Sequence, residues 1–162
     1  MGRLSNEKNI QRMIDFAINS KYIEKLVICG TGPLKKYVLQ KAEHPKIEYL
    51  GYVKDISKQY YSNRYLLHFA EYDTYPCTIL ESALCGCFPI INKSIGNSYL
   101  FSDKFKLENL KDDNEINQKI SWIEENEKEA EKLLTDTAGK IKFKDEAISH
   151  FQKTFYDLVN QV

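Results

Sequence analysis

Two carboxylates and two cations carry the chemistry that this sequence offers. Asp73 and Glu81, with seven residues between them, lie in the stretch from Ala70 to Ile91. That stretch reads as a polar loop, a short helix opened by Pro76, a stop at Gly86, and an apolar strand. Proline at the first helical position donates nothing itself, so Cys77 and Thr78 present the unengaged N–H groups of the helix start. Such groups suit a phosphate, and nearby carboxylates suit the hydroxyls of a sugar. Arg3 and Lys8 lie five residues apart and can together neutralise a pyrophosphate, Arg as a bidentate fork and Lys as a point charge. Each residue also has a plainer reading. Arg3 and Lys8 as solvated charges, Glu81 as a partner of the helix dipole and Asp73 as an acceptor for loop N–H groups all fit the same spacing.

The elements that must position these residues alternate. Asn6 is expected to cap a helix carrying Ile10, Met13, Ile14, Ala17 and Ile18 at helical spacing. Four apolar runs read as buried parallel strands: Lys25 to Cys29, Ile47 to Leu50, Tyr65 to Phe69 and Phe88 to Ile91. Between them lie a helix with Leu34, Tyr37, Val38 and Ala42, and a short one capped by Asp55 and running to Ser62. Strands alternating with helices predict an α/β fold, a Rossmann-like parallel sheet flanked by helices. In such a sheet ligands bind beyond the carboxyl ends of the strands. Arg3, Gly30, Gly32, Tyr52, Asp73 and the loop at Gly96 all follow strands and should share one rim. Met1 to Leu4 reads as the tail of a strand entering a turn. Beyond Phe101 the chain turns polar; Ile116 to Leu134 is expected as a charged helix with Ile120, Ile123 and Leu133 as its apolar stripe, and Ala147 to Val159 as a closing amphipathic helix.

Other motifs are less specific. Gly30-Thr31-Gly32-Pro33 follows a strand and opens a helix, but no third glycine completes a dinucleotide fingerprint. Tyr60, Tyr61, Tyr65, Tyr72 and Tyr75 can stack on a base or sugar ring, or simply pack half-buried. Glu124 to Lys132 reads as a solvated helix face. Cys85-Gly86-Cys87 lacks a second ligand pair, and the histidines are scattered, so no metal is expected and the four cysteines read as buried reduced thiols.

Composition bounds the rest. Lysine plus arginine equals aspartate plus glutamate at 23 each in 162 residues, so no bulk basic field favours nucleic acid or an anionic membrane. No apolar run reaches the length of a membrane span, and no signal-peptide pattern opens the chain. One domain, residues 1–162, is the economical reading, with C-terminal helices over about 112–160 packed on it.

Taken together and in order, four motifs resemble the C-terminal, donor-binding half of the retaining GT-B glycosyltransferases of the group 1, family 4 type. They are Gly2-Arg3-Leu4 with Lys8, Gly30 to Pro33, Leu50 to Asp55, and Asp73 to Ile91. The resemblance implies a transferase of hexosyltransferase type that uses a nucleotide-sugar donor, UDP- or GDP-linked, with no metal cofactor. It implies a glycan or lipid acceptor, a role in polysaccharide biosynthesis, and a cytoplasmic location with any membrane attachment carried by another part of the protein. Arg3 and Lys8 would hold the pyrophosphate, and Cys77 and Thr78 would offer it backbone N–H groups. Gly30 and Gly32 would approach the donor, Tyr52 and Val53 would line the base pocket, Glu81 would bind ribose hydroxyls, and Asp73 would face the transferred sugar. Asp73 stands where the family has Glu, and Phe69-Ala70 where it has Pro-Ser. The N-terminal acceptor domain of such enzymes is expected outside this sequence, leaving the isolated domain inactive. A nucleotide-sugar epimerase of the same architecture and a degenerate, non-catalytic binding module are the alternatives.

Overall fold

Apolar runs rich in Ile, Leu and Phe alternate with amphipathic stretches, and the computed structural model turns each run into a strand and each stretch into a helix. It describes residues 1–141. Along the chain come α1 (Ile10–Asn19), β1 (Leu26–Cys29), α2 (Lys35–Lys41), β2 (Ile47–Gly51), α3 (Ser57–Ser62), β3 (Tyr65–His68), α4 (Cys77–Leu84), β4 (Phe88–Asn92), β5 (Lys106–Leu107), α5 (Asp113–Glu125) and α6 (Glu127–Lys140). All strand pairs are parallel. β1 pairs with β2, Leu26 opposite Ile47, and β4 lies between β3 and β5, with Tyr65 opposite Phe88 and Ile91 opposite Lys106. The fold is α/β and Rossmann-like, parallel strands flanked by helices, as the alternation predicts. The strands form two separate ladders, β1–β2 and β3–β4–β5.

Every residue of β4 is buried, the signature of a parallel strand covered on both faces. α1 contributes Ile10, Met13, Ile14, Phe16 and Ala17 to the core. Phe16 meets Phe69 edge to face, with ring centroids 6.1 Å apart, so the Phe69-Ala70 pair is core packing at the start of the Asp73 loop. α5 buries Ile116, Ile120 and Ile123, and α6 lays Ala130 and Leu134 inward and packs on α4.

Several local expectations are corrected. Asn6 does not cap α1: Asn6–Lys8 form a 3₁₀ turn in which the Asn9 N–H donates to the Asn6 C=O, and left-handed Asn9 (φ 55°) precedes the helix. Pro76 sits one residue before α4, at its N-cap with extended backbone, rather than inside its first turn. The charged stretch is two helices broken at Asn126, because its apolar positions face different neighbours on either side of the break. The charge run is not wholly solvated, since Glu124 accepts from the Tyr65 hydroxyl and pairs with Arg64. β5 was hidden in the polar segment because two residues carry no periodicity. Among the thiols Cys29 and Cys87 are buried, and burial pushes Cys87 up to about 12, but Cys85 is half-buried and Cys77 exposed. The helix expected over Ala147–Val159 lies outside the described residues.

Phe69→Ala should cost about 3–5 kcal/mol, because a buried ring is lost and its cavity cannot close over the rigid end of β3. Urea denaturation measures this, and a loss under about 1 kcal/mol would mean that the ring is not clamped between α1 and the sheet.

Candidate functional site

The rim is assembled by backbone lying on backbone. The Gly2 N–H donates to the Cys29 C=O (3.1 Å), and the Leu4 N–H to the Thr31 C=O (3.0 Å). The Leu34 N–H donates back to the Leu4 C=O (2.9 Å). This approach requires glycine. Gly30 holds φ 127°, and a Cβ on it would land on the Gly2 carbonyl; one on Gly32 would strike the Leu4 backbone. The space left open by Gly30 and Gly32 is thus filled by the segment that carries Arg3. The Gly30 N–H also donates to the Gly51 C=O (2.6 Å), tying in the turn that exposes Tyr52 and half-buries Val53.

Across the rim the loop after β3 is pinned the same way. The Gly96 N–H donates to the Asp73 C=O (2.9 Å), and a Cβ on Gly96 would overlap the Thr74 carbonyl. Buried Asn92 donates to the Ala70 C=O (3.0 Å), and buried Asn97 to the Pro76 C=O (3.3 Å). The start of α4 is therefore fixed. Its first backbone bond runs from the Ile79 N–H to the Pro76 C=O (3.3 Å), and no side chain caps it, so the N–H groups of Cys77 and Thr78 precede the helical ladder.

Lys8 and Asp73 are brought together as an ion pair across 65 positions of sequence. His68, ending β3, adds its Nε2 at 3.3 Å from the same Asp73 oxygen, while its buried Nδ1 has no partner among the described residues. Burial pushes the imidazole below its ordinary pKa, against the pull of Asp73. Burial raises Asp73, but the hydrogen bond and charge of Lys8, with His68, outweigh it and hold the carboxyl below its usual range. Sequence reasoning missed His68, although a polar residue at the carboxyl end of an apolar strand was the available signal.

The other expected residues are placed but not all joined. Arg3 is exposed on the rim, next to the glycine contacts. Glu81 lies one turn into α4, where its Oε2 accepts from the Tyr60 hydroxyl (2.9 Å). Among the described residues no hydrogen bond or ion pair links Glu81 to Lys8 or Asp73. Tyr60 is buried, so it orients Glu81 instead of stacking on a ligand; burial and the Glu81 charge push its phenol upward. Tyr61, Tyr72 and Tyr75 are exposed, whereas the Tyr65 hydroxyl is engaged by Glu124.

The arrangement makes acid destabilising. Folded His68 binds a proton less readily than unfolded His68, so stability falls as pH drops through about 6.5, and depressed Asp73 adds its loss only in stronger acid, near and below about 3.9. His68→Gln should shrink the stability difference between about pH 7.5 and about pH 5.5, measured as urea midpoints. An unchanged difference would show that the folded ring titrates normally.

The sequence profile of the family described as "Glycosyl transferases group 1" matches residues 1–138. Among solved structures, the catalytic domain of cholesterol-alpha-glucosyltransferase from Helicobacter pylori is similar at TM-score 0.71 and 26% identity, covering 86% of this chain and 92% of that one. Anabaena HepE, solved with UDP and glucose, is similar in fold at TM-score 0.76 and 17% identity, covering 98% of this chain and 47% of its own. An S. aureus TarM mutant, solved with UDP among its ligands, gives TM-score 0.69 at 16% identity over 96% of this chain and 34% of its own. This chain thus spans about half of HepE and a third of TarM. No curated protein sequence matches significantly. No helix among the described residues is long and apolar enough to cross a membrane. With the profile running through every rim element from Gly2 to the end of β4 and on into α6, the chain belongs to the group 1 glycosyl transferases.

Proposed function

We propose that residues 1–162 form the donor-binding, C-terminal domain of a retaining glycosyltransferase that moves a hexose from a nucleotide diphosphate to a glycan or lipid acceptor. The observation that carries this reading is the convergence of Lys8, Asp73 and the uncapped start of α4 on one rim, with Arg3 exposed beside the glycine contacts. The diphosphate lies over the N–H groups of Cys77 and Thr78, neutralised by Arg3 and Lys8. Glu81, oriented by Tyr60, takes the ribose hydroxyls, and Tyr52 with Val53 lines the base. Gly30 and Gly32 let the Arg3 segment lie close to the donor. Asp73 faces the sugar. In the unliganded protein Lys8 and Asp73 neutralise each other; an incoming diphosphate draws Lys8 toward itself and leaves Asp73 to accept from sugar hydroxyls. Charge on the leaving diphosphate is met by side chains and helix dipole, so this reading assigns no metal. UDP in the HepE and TarM structures supports a uridine donor as the first to test, with GDP second. Acceptor contacts belong to an N-terminal domain, without which transfer is lost because the acceptor is not held near the sugar. Polysaccharide assembly in the cytoplasm, with membrane attachment elsewhere in the protein, completes the proposal.

A second reading, a binding module without transfer, is favoured by one observation: Asp73 is a methylene shorter than the family's Glu and is already engaged by Lys8 and His68. Sugar transfer by the full-length protein carrying Asp73 supports the first reading; transfer appearing only with Asp73→Glu supports the second.

Calorimetric titration with UDP, GDP and their sugars tests donor binding directly. Arg3→Ala and Glu81→Ala should each weaken the bound nucleotide about 10- to 100-fold, the loss of charge-assisted hydrogen bonds. Failure of every nucleotide to bind, or equal affinity in both variants, refutes the proposal.

A further inference from the structure

Between the two ladders lies a slot with the dimensions of a strand. A cavity of about 440 Å³ is bounded by Leu26–Cys29 on one side and by Tyr65–Leu67 on the other, and is closed by side chains of α1 and α3, Met13 and Tyr60 among them. No ladder joins β1 to β3. The facing edges carry unpaired backbone groups. The Leu26 N–H donates to the Lys46 C=O on the β2 side, so by strand alternation the backbone of Val27 points away from β2. Likewise the Phe88 N–H donates to the Arg64 C=O, which turns Arg64 and Leu66 toward β4 and Tyr65 and Leu67 into the slot. Two open edges facing each other across an apolar gap are a template for one more parallel strand.

Residues 2–4 already start that ladder. The Gly2 N–H to Cys29 C=O and Leu4 N–H to Thr31 C=O bonds advance two residues on each chain, the pattern of a parallel pair. Met1 lines the slot, and the chain traced backward from it runs alongside β1 toward Leu26. We propose that this slot is the seat of an apolar β-strand joined directly to the amino side of Met1, which completes a continuous six-stranded parallel sheet in the order β2, β1, inserted strand, β3, β4, β5. The strand spans about four residues, the length of β1, and pairs with Val27 on one edge and with Tyr65 and Leu67 on the other. Its side chains pack on Met13 and Tyr60, so Val, Ile or Leu fit and charged residues do not. Desolvation of the Met1 ammonium, which lowers its pKa, disappears once a peptide bond replaces it. This inference is independent of the donor-binding proposal.

Two forms of the full chain test it, one extended before Met1 by Val-Ile-Val-Ile and one by Lys-Glu-Lys-Glu. The apolar extension should slow hydrogen exchange at the Val27 and Leu67 amides at least about tenfold and raise the melting temperature by several degrees, and the charged one should do neither. Unchanged exchange at these amides, equal protection by both extensions, or protection in the unextended chain that appears only on dimerisation would overturn the proposal. If the apolar form aggregates, the same tetrapeptide, acetylated and added in trans, reads the same two amides with the same two outcomes.

Discussion

The site rests on close backbone approach. Gly2 lies on Gly30, Leu4 on Gly32 and Thr74 on Gly96, and each contact leaves no room for a Cβ. These three contacts put the amino-terminal segment, the loop after β1 and the loop after β3 at fixed distances from one another. The polar groups of the rim are therefore held by chain geometry, and long side chains such as Lys8 start from anchored backbones. Preorganisation of this kind is what an anion site requires, because donors already in place need no rearrangement when charge arrives.

On that frame the electrostatics are local and connected. Lys8, Asp73 and His68 form one group in which a cation, a carboxylate and a buried imidazole share a single oxygen. Glu81 is held separately, by Tyr60 from α3. The two carboxylates of α4 and its preceding loop are thus oriented from different sides, Asp73 by the amino-terminal turn and β3, Glu81 by the helix after β2. Between them lies the uncapped helix start, tethered by buried Asn97 at Pro76. Coupling through shared partners means that replacing His68 or Tyr60 acts on a carboxylate without touching a ligand.

The slot between β1 and β3 belongs to the same design. Its mouth is the Gly2–Leu4 segment, so the strand that fills it would enter the rim directly at Arg3. Sheet completion and placement of the first cation would then be one event, with the core of the domain and the edge of its site sharing a single piece of chain.

The sequence alone determined the α/β alternation, four of the five strands to within a residue or two, and the residues facing the core from α1 and α5. Apolar periodicity is a local property and survives without tertiary context. It also marked Lys8, Asp73, Thr78 and Glu81 as the chemistry-bearing set. Tertiary structure decided what lay beyond local pattern. The two-residue β5 exists only as an addition to the edge of β4, and the break at Asn126 follows from what α5 and α6 each pack against. His68 and Tyr60 acquired roles because distant segments placed a carboxylate within hydrogen-bond reach of each. The vacancy between the two ladders was invisible for the same reason: strand pairing joins residues far apart in sequence, and only the folded chain shows which edges remain without a neighbour.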